Sequence, residues 1–114
     1  MTKKEYEKEL LKIISKYNII KSNYRSYNFE IKTKIFGTWF FKSEYIPSLK
    51  MASMHSLFLD RENLKNNFKE FISEYDLPSN TGKFNKYSTD PIYILDYLDE
   101  TLSNFIYLDK TLTT

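Results

Sequence analysis

Apolar side chains recur at helical spacing along the first segment of the chain. Thr2 offers a side-chain oxygen at the start of this segment and Glu5 follows three residues later, which predicts a capping box. The spacing predicts a helix that ends between residues 18 and 22, where small polar residues enter. The positions predicted to face the core are Tyr6, Leu10, Ile13, Ile14, Tyr17 and, at the margin, Ile20.

The period of the apolar positions changes to two at Tyr27, which predicts strands. Residues 27–35 alternate between apolar and polar side chains and predict a half-buried antiparallel strand. Gly37 then marks a turn, and residues 38–46 predict a second strand that Pro47 ends. Residues 51–59 predict a third strand, whose first half alternates less regularly.

Helical spacing returns in the second half of the chain. Asp60 predicts the start of a second helix that ends at the Asp76-Leu77-Pro78 segment. After a polar loop at 79–82, residues 83–87 predict a short strand, and Pro91 at a first turn predicts a last helix that runs to about Leu108. The inward positions predicted for this last helix are Ile92, Leu95, Leu98, Leu102, Phe105 and Ile106.

These elements predict an α+β fold in the order α-β-β-β-α-(β)-α. Its antiparallel sheet has three to four strands, and the helices pack mainly on one face. A length of 114 residues suits one core, so residues 1–114 are expected to form a single domain. Residues 110–114 are expected to form a loose tail.

The amino-acid composition limits the kinds of site that this chain can form. The chain has no cysteine, which excludes disulfides and thiolate metal sites. It has no long apolar run and no signal-peptide pattern, so no membrane contact and a cytoplasmic location are expected. Fifteen lysines against two arginines, with many Phe, Tyr, Ile and Asn, are typical of an AT-rich genome.

Residues that perform catalysis are scarce. The one histidine, His55, lies in the middle of a predicted strand, where a hydrogen-bonded structural role is favoured over a metal-binding one. Asp96 and Asp99 are spaced to share a divalent cation, but a solvated acidic helix face explains them as well. The segment before Lys83 has one glycine of a phosphate-binding loop and lacks the rest. We therefore expect a protein that is not an enzyme and that has no cofactor or metal.

Charge is distributed unevenly along the chain. Residues 1–50 carry eleven basic and five acidic groups, whereas residues 51–114 carry six basic and ten acidic groups. Five of the basic residues lie on or beside the first two predicted strands, among aromatic residues, as in modules that bind nucleic acid. This alternative hypothesis uses Lys21, Arg25, Lys32, Lys34 and Lys42.

The acidic residues gather on the last predicted helix together with tyrosines, which are enriched at protein interfaces. They form a candidate surface for a basic partner, such as the nucleic-acid channel of a nuclease. The alternative is that they only keep the helix soluble. The candidate residues are Asp90, Tyr93, Asp96, Tyr97, Asp99 and Glu100.

The order helix, three strands, helix over residues 1–76 resembles the double-stranded-RNA-binding domain. This resemblance is topological and implies binding of an RNA duplex. Where that family has a lysine-rich start of its second helix, this chain has residues 60–65 of mixed charge.

A second resemblance covers roughly the C-terminal half of the chain. It rests on Ser56-Leu57-Phe58-Leu59, a helix, and then Ser79-Asn80-Thr81-Gly82-Lys83-Phe84-Asn85. This pattern is similar to that of small uncharacterised proteins of bacteriophages and mobile elements. It implies a non-catalytic accessory protein that binds and inhibits a host protein in the bacterial cytoplasm, for example an anti-CRISPR protein acting on a defence nuclease. The oligomeric state stays open.

Overall fold

The structure is a computed structural model that describes residues 1–17, 19–21, 29–32, 37–58 and 83–113. The helix predicted over residues 60–76 and the polar loop at 79–82 lie outside these residues. The elements are α1 (Lys3–Ser15), β1 (Ile20–Lys21), β2 (Phe29–Lys32), β3 (Thr38–Ile46), a 3-10 helix (Pro47–Leu49), β4 (Met51–Phe58), β5 (Lys83–Ser88) and α2 (Pro91–Thr113).

Helix α1 begins with the predicted capping box. The side-chain oxygen of Thr2 accepts a hydrogen bond from the backbone N–H of Glu5 at 3.1 Å, and the Glu5 carboxylate accepts one from the Thr2 N–H at 3.3 Å. These bonds satisfy backbone donors that the first helical turn leaves without partners. The helix ends at Ser15, a few residues before the predicted end, and Lys16 forms its C-cap. Its buried residues are Tyr6, Leu10, Ile13 and Ile14, as predicted.

The described strands form one antiparallel sheet in the order β1-β2-β3-β4-β5. Every neighbouring pair in the sheet follows in chain order, and the two-residue strand β1 is an addition that the sequence pattern did not predict. Within β3 and β4 the pairs run from Trp39↔Phe58 to Ile46↔Met51. The register continues through His55↔Asn85 into β5. The predicted α+β class and antiparallel sheet are confirmed.

Both described helices pack on the same face of the sheet. Alternate positions of the strands supply Phe29, Ile31, Trp39, Phe41 and Met54 to this face, where they form one cluster with the buried residues of α1 and α2. Trp39 is central because its ring centroid lies 5.2 Å from that of Phe41 and 5.1 Å from that of Phe105 in α2. Its indole N–H donates to the hydroxyl of Ser56. The two described helices therefore cover one face of the sheet.

The inward face of α2 differs from the prediction at its start. Ile92 is 48% exposed, whereas Ile94 is fully buried. Thr101 is also buried, and it remains compatible with the core because its hydroxyl donates to the backbone oxygen of Tyr97 at 2.7 Å. The helix continues to Thr113, so residues 110–113 belong to it and do not form the predicted loose tail. The inward residues are Ile94, Leu95, Leu98, Thr101, Leu102 and Phe105.

Candidate functional site

The six candidate residues of the last helix do not form one surface. Asp90 precedes α2 and caps it, since its carboxylate accepts a hydrogen bond from the backbone N–H of Ile92 at 3.0 Å. The backbone N–H of Asp90 in turn donates to the side-chain oxygen of Ser88 at 3.0 Å. A carboxylate in this position stabilises the helix through its free N–H groups and its dipole. Asp90 therefore has a local structural role.

Asp99 faces α1. Its carboxylate forms an ion pair with Lys16 at 2.8 Å and accepts a hydrogen bond from the Tyr17 hydroxyl at 2.6 Å. Burial raises the pKa of Asp99, but the contacts with Lys16 and Tyr17 outweigh it and hold the pKa below its ordinary value. Burial, and then the hydrogen bond to Asp99, raise the pKa of Tyr17 to about 12. This cluster ties the end of α1 to the middle of α2, so Asp99 is engaged within the fold.

The other four residues share one face of α2 and are here named the Tyr-carboxylate stripe: Tyr93, Asp96, Tyr97 and Glu100. Their spacing is i, i+3, i+4 and i+7, which aligns them along a helix surface. Tyr93 is 45% exposed, and its ring lies nearly parallel to that of Tyr97, with the centroids 6.4 Å apart and an interplanar angle of 25°. Asp96 and Glu100 are exposed. Within the described part of the chain, no hydrogen bond or ion pair engages either carboxylate.

A lysine from the sheet completes this surface. The ammonium group of Lys86 lies 5.2 Å from the ring centroid of Tyr97 and 6.0 Å from that of Tyr93. Pairing of Lys86 with Met54 places its side chain on the helix-covered face of β5. Both distances lie within the range of cation–π attraction, so this lysine interacts with both rings. The sequence prediction omitted Lys86, although alternation along residues 83–87 places it on the same side as Phe84.

The basic residues of the alternative hypothesis are only partly described. Lys32 and Lys42 lie on the face of the sheet away from the helices, and Lys32 pairs with Thr38. Lys42 lies four positions beyond Thr38 on β3, so the Cα atoms of the two lysines are roughly 14 Å apart. Lys21 belongs to β1, and its side chain lies outside the described part, as do Arg25 and Lys34 entirely. Of this set, the structure describes only the side chains of Lys32 and Lys42, and these two are not neighbours.

The aromatic residues of β3 do not offer open rings beside these lysines. Trp39 and Phe41 belong to the core under the helices, and Phe40 is buried on the opposite face. Base stacking requires an accessible aromatic face. All three side chains are buried, so none of these rings is open for stacking beside the lysines.

His55 lies on β4 and contacts its neighbours on β5. Its ring Nδ1 lies 3.0 Å from the amide oxygen of Asn85, to which it donates, and its ring meets that of Tyr87 edge-on at 5.3 Å. Tyr87 is 54% exposed. Among the residues that the structure describes, no three His, Asp or Glu side chains are grouped closely enough to hold a metal ion.

A groove of about 530 Å³ lies between α1 and α2. Its volume falls in the range of small-molecule pockets. Several of its charged side chains are already engaged, however: Glu5 in the capping box, Glu9 with Lys12 at 3.1 Å, and Asp99 with Lys16. Lys8 and Asp96 also line the groove, and Asp96 belongs to the Tyr-carboxylate stripe as well.

Comparison of the chain with protein-family models, curated proteins and solved structures found no match. Of the helices within the described residues, none combines the length and the apolar character needed to cross a membrane. The candidate site is therefore taken from the contacts within the structure, and it is the Tyr-carboxylate stripe with Lys86 at its edge.

Proposed function

We propose that this chain is a non-catalytic protein that binds another protein through the Tyr-carboxylate stripe. The supporting observation is that the exposed ring of Tyr93 stacks on the half-buried ring of Tyr97, beside two exposed carboxylates, Asp96 and Glu100, that make no hydrogen bond or ion pair within the described residues. Tyrosine gives a large contact area at a low cost in conformational entropy, and it is enriched among residues that dominate binding energy.

The charge of the stripe favours a basic partner. Asp96 and Glu100 are exposed on it, and Lys86 is the cation at its edge. Complementary charge increases the rate of association and excludes acidic partners. The positively charged nucleic-acid channel of a nuclease has this character. We therefore propose a host nuclease as the target and inhibition by occupation of its channel as the mode of action.

This function suits an accessory protein of a bacteriophage or mobile element that acts in the cytoplasm of a bacterial host. Such a protein needs an exposed recognition surface and no catalytic group. Asp90 and Asp99 make contacts that stabilise the fold, so the proposed recognition surface is limited to the Tyr-carboxylate stripe.

The test compares two matched double variants as bait. Tyr93→Ala/Glu100→Ala removes one ring and one carboxylate of the stripe. Tyr107→Ala/Glu7→Ala removes a 67%-exposed tyrosine of the same helix and an exposed glutamate of α1. Each bait and the wild-type chain are incubated with nuclease-treated bacterial lysate, and the retained proteins are identified by mass spectrometry.

The proposal predicts a specific protein that the wild-type chain and the control variant retain and the stripe variant loses. Equal retention by both variants would contradict it. In a parallel assay with untreated lysate, retention of DNA or RNA alone, falling steeply with salt and abolished by Lys32→Glu/Lys42→Glu, would favour nucleic-acid binding instead.

A further inference from the structure

The stacked tyrosines already hold a cation. Lys86 reaches from β5 to the rings of Tyr93 and Tyr97, with its ammonium group 6.0 Å and 5.2 Å from their centroids. A lysine side chain loses considerable rotamer freedom when it is held in this way. Its position therefore marks a place where two aromatic rings attract positive charge.

Lys86 is held there loosely. Its distances from the rings lie near the outer limit of about 6 Å for cation–π attraction. Lys86 takes part in neither of the two ion pairs found among the described residues, and it is only partly buried. No carboxylate bond has to break when another cation takes its place.

The surroundings suit a guanidinium group better than an ammonium group. A guanidinium is planar, stacks on aromatic faces and forms paired hydrogen bonds with carboxylates. Glu100 lies one turn beyond Tyr97, and Asp96 lies one turn beyond Tyr93 on the same stripe. Both carboxylates are exposed and are not engaged by the described residues, so they are available to such a group.

We infer that the Tyr93–Tyr97 pair is a receptor site for an arginine side chain of the partner protein, and that Lys86 occupies this site in the free protein. The inference rests on the proposed function and adds the chemistry of recognition to it. Binding exchanges the internal ammonium for the external guanidinium, which the nearby carboxylates then anchor. Lys86 thereby acts as an internal competitor that lowers affinity for weaker cations.

The test titrates the full chain with a tri-arginine peptide blocked at both ends, and in parallel with the matched tri-citrulline peptide, which has the same shape without the charge. The ring resonances of Tyr93 and Tyr97 are followed by NMR. Lys86→Met removes the competitor, Lys86→Arg keeps a cation, and Lys42→Met removes an equal charge from the other face of the sheet. Thermal denaturation establishes that each variant is folded.

We expect saturable shifts of both tyrosines with tri-arginine and none with tri-citrulline. Loss of one exposed cation–π contact predicts that Lys86→Met tightens binding by about two- to fivefold. Lys86→Arg should weaken binding, because an internal guanidinium competes for the rings better than an ammonium does, whereas Lys42→Met should stay near the wild-type affinity. The inference is overturned by equal shifts with both peptides, by no shift of the tyrosines, or by Lys86→Met binding no tighter than Lys42→Met.

The two proposals fail separately. A partner protein that depends on the stripe, together with no response to tri-arginine, would retain the proposed function and remove the arginine site. Tri-arginine binding at the tyrosines without any protein that depends on the stripe would retain the site and remove the proposed function.

Discussion

Ser43→Ala is expected to destabilise the protein more than Tyr6→Phe does, although the two hydroxyl groups share one hydrogen bond. Tyr6 is fully buried in α1, and its oxygen lies 2.5 Å from the side-chain oxygen of Ser43 in β3. The Ser43 hydroxyl donates to the backbone oxygen of Ser53 in β4 at 2.9 Å. Because the Ser43 proton is used in that bond, the Tyr6 hydroxyl is the donor to Ser43.

The magnitudes follow from which groups each change leaves without a partner. Tyr6→Phe preserves the ring and removes one hydrogen bond, which costs about 1 kcal/mol. Ser43→Ala leaves the buried Tyr6 hydroxyl without an acceptor, at about 1–3 kcal/mol, and takes a donor from the Ser53 carbonyl, so its total is about 2–4 kcal/mol. In the double variant the orphaned hydroxyl is gone, and the cost should fall below that of Ser43→Ala alone.

The assay is urea denaturation followed by circular dichroism for the wild-type chain, the two single variants and the double variant. The free energies of unfolding are compared only among variants with an unchanged m-value, which is the slope of that free energy against urea concentration. A changed m-value would indicate a change in the compactness of the unfolded state. Equal costs for the two single variants, or a double variant equal to their sum, would refute the proposed direction of the hydrogen bonds.

Three further predictions test other parts of the fold. Thr2→Ala removes the capping box and should lower the free energy of unfolding by about 1 kcal/mol in the same assay. Ile94→Ala should cost about 2–5 kcal/mol and Ile92→Ala less than about 1 kcal/mol, and similar costs would show that the orientation of α2 is wrong. The third prediction concerns Asp99→Asn. In the wild-type chain, burial alone would raise the pKa of Asp99, but its ion pair and hydrogen bond lower it. The stabilisation by Asp99 is therefore full above the ordinary value of 3.8 and is lost as the pH falls through the folded pKa. Denaturation from pH 7 to pH 2 should show the difference between the wild-type chain and Asp99→Asn shrinking in acid, and a difference independent of pH would contradict this.

Local patterns predicted the elements that depend on neighbouring residues. The capping box at Thr2 and the apolar stripe of α1 are encoded within a few residues, and both could be predicted. Alternation likewise predicted β3 and β4 with nearly correct ends. Ile92 and Ile94 lie two positions apart and therefore on nearly opposite sides of the helix, and the prediction chose Ile92 although the spacing to Leu98 and Leu102 fits Ile94, which the structure buries.

The sequence predicted which residue types occur in the candidate site, but it did not predict how their side chains are arranged. The sequence placed carboxylates and tyrosines on the last helix, but it gave no signal that Asp99 contacts Lys16, which is 83 residues away. The contribution of Lys86 depends on the pairing of β5 with β4, which sets the face that its side chain occupies. Long-range pairing therefore reduces the predicted set of six residues to a stripe of four and adds a lysine to it.

The proposed binding surface is tested most directly by the affinity of the captured partner for purified variants of this chain, measured by isothermal titration calorimetry. Tyr93→Ala/Glu100→Ala should weaken binding by about tenfold or more, as expected for residues at the centre of an interface. Tyr107→Ala/Glu7→Ala should leave the affinity unchanged. Equal affinities for the two variants, with both folded, would show that the Tyr-carboxylate stripe is not the binding surface.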